Sequence, residues 1–278
     1  MELSQDRIEV LKRIQEYERL GYFDRDVEND PPTRPLLPGE VDYTLKKWTS
    51  RLSSEIANEV ARRHFDRCIK RGELIIKEVR GIENYRAVKD VGVMITANHF
   101  NAFDNYAVFK AIQKDLGRKR LYKIIREGNY TSFPGLYGYF FRHCNTLPLS
   151  ADHRAFRELR DAIAVLLGRG EKILIYPEQG MWWNYRKPRP LKAGAFHFAA
   201  ANHAPVLPFF LTMEDTDRAD AGGYPIQAYT VHILPAIHPD PALSTRENAQ
   251  RMCDENFAAW RDTYEHFYGI PLTYTTER

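Results

Sequence analysis

Cysteine is scarce in this chain of 278 residues. Cys68, Cys144 and Cys253 are far apart and odd in number, so they form neither a CxxC pair nor a disulfide framework, and a reducing compartment is expected. Long apolar runs are missing too. The longest stretch free of Asp, Glu, Lys and Arg, "AGAFHFAAANHAPVLPFFLTM" at 193–213, is broken by Asn202, two histidines and two prolines. That is wrong for a membrane-spanning helix of about 20 apolar residues. The opening "MELSQDRIEV" is charged and reads as no secretory leader. No internal repeat or low-complexity tract is present. The net charge is only +3, so the surface is not built to coat nucleic acid, and no nucleic-acid partner is expected. His197, His203, His232 and His238 show no metal-ligand spacing, and Cys144 has no base beside it in the chain. No metal and no cofactor are expected.

What is present suits a globular protein with a full-sized core: 44% of residues are apolar and 28% charged. The first 72 residues differ from the rest. A short helix over about 4–20 precedes the proline-rich "ENDPPTRPLLPGE", which cannot continue it. From about 41 a helical pattern runs to Arg71-Gly72, with Leu45, Trp48, Leu52, Ile56 and Val60 on one stripe and Lys46, Lys47, Arg51, Arg62, Arg63 and Arg67 on the remainder. Two readings follow: a helix capping the main domain with its charged face in water, or a basic amphipathic helix on anionic lipid. Residues 73–278 alternate short apolar runs with helical patterns. "ELIIKEV", "VGVMITA", "LYKII", "NTLPL" (an edge strand), "KILIYP", "PVLPFFL" and "YTVHILPAI" read as strands; 102–116, 153–168 and 193–202 read as helices, and 128–141 as a loop. Such alternation predicts an α/β fold, a mainly parallel or mixed central sheet flanked by helices, with an N-terminal helical appendage. Ser244 and Glu247 form a capping box for the last helix, which Gly269 and Pro271 stop.

One short stretch carries chemistry: "TANHFNAFDNYAVF" at 96–109. Residues five apart within one regular helix point about 140° from each other. His99 and Asp104 can therefore meet only if His99 lies in a turn after a strand and Asp104 opens the next helix. The carboxylate would then hold one imidazole nitrogen and leave the other basic, a general base acting without a protein nucleophile. A histidine that merely caps the helix is the alternative.

Beyond that pair, residues 96–210 resemble the glycerolipid (lysophospholipid) acyltransferase superfamily, block by block and in order. The NHx4D block is Asn98-His99-Phe100-Asn101-Ala102-Phe103-Asp104, followed by Arg126-Glu127 and Phe133-Pro134-Gly135. The family's Phe-Pro-Glu-Gly-Thr reads here Tyr176-Pro177-Glu178-Gln179-Gly180, and the last blocks are Lys192-Ala193-Gly194-Ala195-Phe196 and Ala204-Pro205-Val206-Leu207-Pro208-Phe209. The resemblance implies an O-acyltransferase with His99 as base and Asp104 as its partner. Its donor would be acyl-CoA or acyl carrier protein, its acceptor a lysolipid, and its place the cytoplasmic face of an anionic membrane. A thioester hydrolase and a non-catalytic lipid-binding protein are the alternatives.

Asn98, Arg126, Glu178, Gln179 and Gly180 are the expected substrate contacts. Two departures matter. Where the family carries an arginine after the block matched by "NTLPLS", this chain has Ser150-Ala151-Asp152, and Glu-Gly-Thr-Arg becomes Glu178-Gln179-Gly180-Met181. Phosphate binding is therefore expected to move to "YRKPRPLK" (185–192), where Arg186, Lys187, Arg189 and Lys192 offer four cations. Glu178 either meets acceptor hydroxyls or fixes its loop through backbone N–H groups. Gly180 is expected to supply a positive-φ turn or a close approach. Backbone N–H groups of 98–101 are the expected oxyanion donors. For Trp182-Trp183 the open choices are stacking on a sugar, dipping into lipid, or packing.

Overall fold

The computed structural model describes residues 3–29 and 33–277; Pro31 and Pro32 of the predicted linker lie outside them. Among the described residues seven strands form one sheet: β1 (Ile75–Arg80), β2 (Val93–Thr96), β3 (Leu121–Arg126), β4 (Thr146–Leu149), β5 (Lys172–Ile175), β6 (Val206–Ala219) and β7 (Pro225–Ile233). Their order is β1-β7-β6-β2-β5-β3-β4, with β4 at one edge as expected. β6 through β4 run parallel; β7 is antiparallel to β6, and β1 is parallel to β7. The sheet is thus mixed and mainly parallel, and β2 sits near its middle with all four residues buried.

Strand alternation sends β2 side chains to both faces. Val93 and Ile95 join a core with α2 (Trp48–Arg71), α3 (Ile82–Val88), α4 (Asp104–Ile112) and α6 (Gly135–His143). Met94 joins the opposite core with α7 (His153–Gly168), α8 (Gly194–Ala201) and α9 (Thr245–Tyr268). In α7, Ala155, Leu159, Ala162, Ile163 and Leu166 recur at steps of three and four and are buried, and Asp152 caps the helix by accepting N–H bonds from Arg154 and Ala155. The capping box of Ser244 and Glu247 is formed, and Gly269 ends α9 at φ 68°.

The remaining elements correct the sequence reading. The stretch 128–141 is mostly helix: α5 (Glu127–Thr131) and α6. Gly138 makes α6 possible there, because a Cβ at this position would fall 1.9 Å from the Phe133 carbonyl oxygen. β6 and β7 extend well past their apolar runs into a long hairpin whose outer residues are polar and exposed. α1 (Gln5–Leu20) packs Val10 and Ile14 against Val27, Trp182 and Trp183, so the tryptophan pair is packing material.

The largest surprise is α2. It begins at Trp48 rather than near 41, and its apolar stripe faces outward: Trp48, Leu52, Ile56 and Val60 are 68%, 48%, 51% and 40% exposed. The face turned inward instead carries Ser54, Ala57, Phe65 and Cys68. Ser54 is drawn in by a 2.7 Å hydrogen bond to the Asn145 side chain, and small residues let the helix approach closely. Among the described residues, no helix is long and apolar enough to cross a membrane.

Candidate active site

β2 ends at Thr96, the chain turns through Ala97–Phe103, and α4 opens on Asp104. This turn allows what a single helix forbids. His99 Nδ1 and Asp104 Oδ2 lie 2.7 Å apart. The same carboxylate oxygen accepts the backbone N–H groups of Phe100 (3.1 Å) and Asn101 (3.3 Å), so Asp104 folds the turn back onto the helix start, where a negative charge is favoured. Asp104 is wholly buried, whereas the His99 side chain keeps 24% of its surface exposed. With Nδ1 committed to Asp104, Nε2 is the nitrogen left for chemistry, and it makes no hydrogen bond among the described residues.

The loop after β5 completes the site. Glu178 is buried, and its Oε2 accepts the His99 backbone N–H (3.0 Å) and the Arg189 guanidinium (3.1 Å), while Oε1 accepts the Arg189 backbone N–H (2.8 Å). Trp182 and Asn184 donate backbone N–H bonds to the carbonyls of His99 and Phe100. Of the two readings of Glu178, the geometry takes the loop-fixing one. A buried carboxylate needs this many donors to offset its lost hydration. Tyr176, one residue beyond β5, lays its ring on the His99 imidazole with centroids 3.9 Å apart and planes 18° apart. Its hydroxyl donates to Asp104 Oδ1 at 2.6 Å, and burial, reinforced by the Asp104 charge, raises its pKa well above the ordinary phenol value.

Several expected contacts fall elsewhere. The Asn98 side chain does not face the site: it is buried, its amide donates to the Leu211 carbonyl (3.0 Å), and its oxygen accepts the Leu211 N–H (2.8 Å), tying the turn to β6. The N–H groups of 99–101, expected to hold an oxyanion, are all taken by Glu178 and Asp104. The positive φ of the 178–180 turn lies on Gln179 (68°), not Gly180, and Gln179 is exposed. A Cβ on Gly180 would meet nothing nearer than 3.5 Å.

The four cations of 185–192 do not converge into a phosphate cradle. Arg189 is buried against Glu178, Lys187 pairs with Glu18 (2.6 Å), Arg186 with Asp215 (2.7 Å) and Lys192 with Asp24 (3.0 Å). Arg126 pairs with Asp26 and donates to the Gln179 carbonyl (3.2 Å). Burial, then the nearby Arg189 charge, lowers its pKa. Glu18, Asp24 and Asp26 were not visible as partners in the sequence, since pairing across 100 residues or more leaves no local pattern. Tyr176 did leave a signal, as a tyrosine where the family's Phe-Pro-Glu block has phenylalanine. Among the described residues, no group of three or more His, Cys, Asp or Glu side chains could hold a metal ion.

The family model described as "Acyltransferase" matches residues 77–212. By structure the chain is similar to the 1-acyl-sn-glycerophosphate (LPA) acyltransferase PlsC from Thermotoga maritima, with a TM-score of 0.54, 18% sequence identity, and coverage of 83% of this chain and 87% of that one. At that identity the likeness is one of fold. No curated protein matches the chain by sequence.

Proposed function

We infer that the chain is a member of the glycerolipid acyltransferase superfamily and an acyltransferase, and from that premise we propose that it moves a fatty acyl group from acyl-CoA or acyl carrier protein to a hydroxyl of a lysophospholipid, such as 1-acyl-glycerol-3-phosphate or a related polar lipid. The observation that carries this reading is the His99–Asp104 contact of 2.7 Å beside a partly exposed imidazole. Nε2 takes the proton from the acceptor hydroxyl as its oxygen attacks the thioester carbonyl carbon. Asp104, hydrogen-bonded to Nδ1, stabilises the imidazolium that forms. Collapse of the tetrahedral intermediate breaks the C–S bond, and the imidazolium proton goes to the departing thiolate. One ester and one thiol result, and His99 returns to its neutral form. Asp104 also holds the backbone of 100–101, so the base and the turn that carries it are positioned by one group.

The acyl donor and acceptor are amphiphiles, and α2 offers a surface to meet them. Trp48, Leu52, Ile56 and Val60 form its outward row, with exposed Lys46, Lys47, Arg51, Arg63 and Arg67 around them. α6, which packs on α2, adds exposed Leu136. An apolar row with cations in excess around it, Arg63 among them pairing with Glu59 (2.7 Å), suits peripheral docking on an anionic, cytoplasmic membrane face.

The test is thiol release from an acyl-CoA or acyl carrier protein, with and without a panel of lysolipids, read alongside mass spectrometry of the lipids. Release that depends on a lysolipid, with the matching diacyl product, is the expected result. Acceptor-independent release would make the protein a hydrolase, and no release would make it a lipid-binding protein; either overturns the proposal.

A further inference from the structure

Tyr176 touches both members of the His99–Asp104 pair, and the mechanism above does not use it. Asp104 Oδ2 already takes three donors, the imidazole and two backbone N–H groups, while Oδ1 has the Tyr176 hydroxyl at 2.6 Å. Asp104 has no exposed surface, so without this hydroxyl Oδ1 would be an unsatisfied acceptor in a buried place. The tyrosine reaches it because Thr96 of β2 and Ile175 of β5 are in register, which sets Tyr176 opposite the start of the His99 turn. Its ring then covers one face of the imidazole, almost parallel to it.

We propose that Tyr176 is a positioning residue, the third member of a His–Asp–Tyr set whose hydroxyl orients Asp104 and sets the pH range over which His99 works. The inference rests on the reading of His99 as the base. Two physical effects follow from the contacts. A hydrogen bond to Oδ1 stops the carboxylate from rotating and keeps Oδ2 in line with Nδ1. It also draws negative charge toward Oδ1, so the imidazolium is stabilised less and His99 gives up its proton at lower pH. The stacked ring acts in the opposite sense, since an aromatic face attracts a cation. Tyrosine supplies both effects, and phenylalanine keeps only the ring.

Tyr176→Phe separates them, because it removes the hydroxyl and keeps the ring. Without the hydroxyl, Asp104 keeps more charge facing His99, and the imidazole holds its proton to higher pH. The expected result is an acidic limb of kcat/KM moved upward by about half to one pH unit. Activity at neutral pH falls several-fold and recovers as pH is raised, with KM for the thioester unchanged. An NMR titration of the His99 ring in the resting protein moves in the same direction. Wild-type pH profile and ring titration in Tyr176→Phe would overturn the proposal, whether or not the overall rate falls, because a purely structural role lowers the rate evenly across pH. Transfer retained in His99→Ala would instead sink the base assignment. The ring titration, read without turnover, would still decide whether the hydroxyl acts on His99.

Discussion

The two ends of the central sheet bury charge in opposite ways. At the amino end of β5, the Lys172 ammonium is wholly buried and donates to three backbone carbonyls, Lys89 and Gly170 at 2.8 Å each and Val91. At the carboxyl end, Glu178 and Arg189 form an equally buried pair, but Glu178 also holds the His99 backbone N–H, and His99 presents Nε2 without a partner among the described residues. The same electrostatic requirement, that a buried charge be paired or solvated by dipoles, ties down an ammonium at one end and builds a positioned base at the other. Parallel strands converge on a crevice at their carboxyl ends, where loops can be varied without disturbing the sheet.

The sharpest way to break this comparison is to disturb each end in turn. Glu178→Gln leaves Arg189 buried without a counter-charge and weakens the hold on His99. Stability should fall by about 3 kcal/mol, the scale for breaking a buried pair, and transfer by folded protein by roughly a hundredfold; urea unfolding and acceptor-dependent thiol release measure the two. Lys172→Met should cost stability alone, about 1–3 kcal/mol for the carbonyls it leaves unpaired, with turnover per folded molecule unchanged. Its pH signature has a definite sign. Burial lowers Lys172 to about 8 from 10.5, so between those values the unfolded chain binds the extra proton and wild-type stability rises with pH. The methionine variant loses that rise. If turnover falls equally in both variants, the division of labour between the two ends is wrong.

A smaller effect is expected from α2. Replacing Trp48, Leu52 and Ile56 together with serine should lower binding to phosphatidylglycerol-containing vesicles by about tenfold. Urea unfolding should shift by no more than about 0.5 kcal/mol, because these side chains are already exposed. Vesicle binding at the wild-type level would remove α2 from the membrane surface.

Periodicity and apolar runs were enough to read the sheet and most helices, because β2, β5 and α7 are locally consistent with their burial. The His99–Asp104 contact was legible for the same reason: a strand, a turn and a helix start leave little freedom over six residues. Inward and outward faces of α2 were not legible, since the stripe of Trp48, Leu52, Ile56 and Val60 is apolar yet covered by nothing described. Nor were the partners of the cations at 185–192. Their chemistry suggested phosphate, but Glu178 and Asp215 pair with two of them and Glu18 and Asp24, from the far end of the chain, with the others, a pairing that only the fold can bring about. Tyr176 lay in plain view as a change of one hydroxyl, whose meaning depends on where Asp104 points.

The central claim is that the imidazole of His99 removes the acceptor's proton. Its most direct measurement is kcat for acceptor-dependent acyl transfer in His99→Ala, at matched folded concentration and saturating thioester. The account predicts a fall of about 10²–10⁴-fold with thioester binding retained, the scale of losing a general base. Transfer within a few-fold of wild type would contradict it.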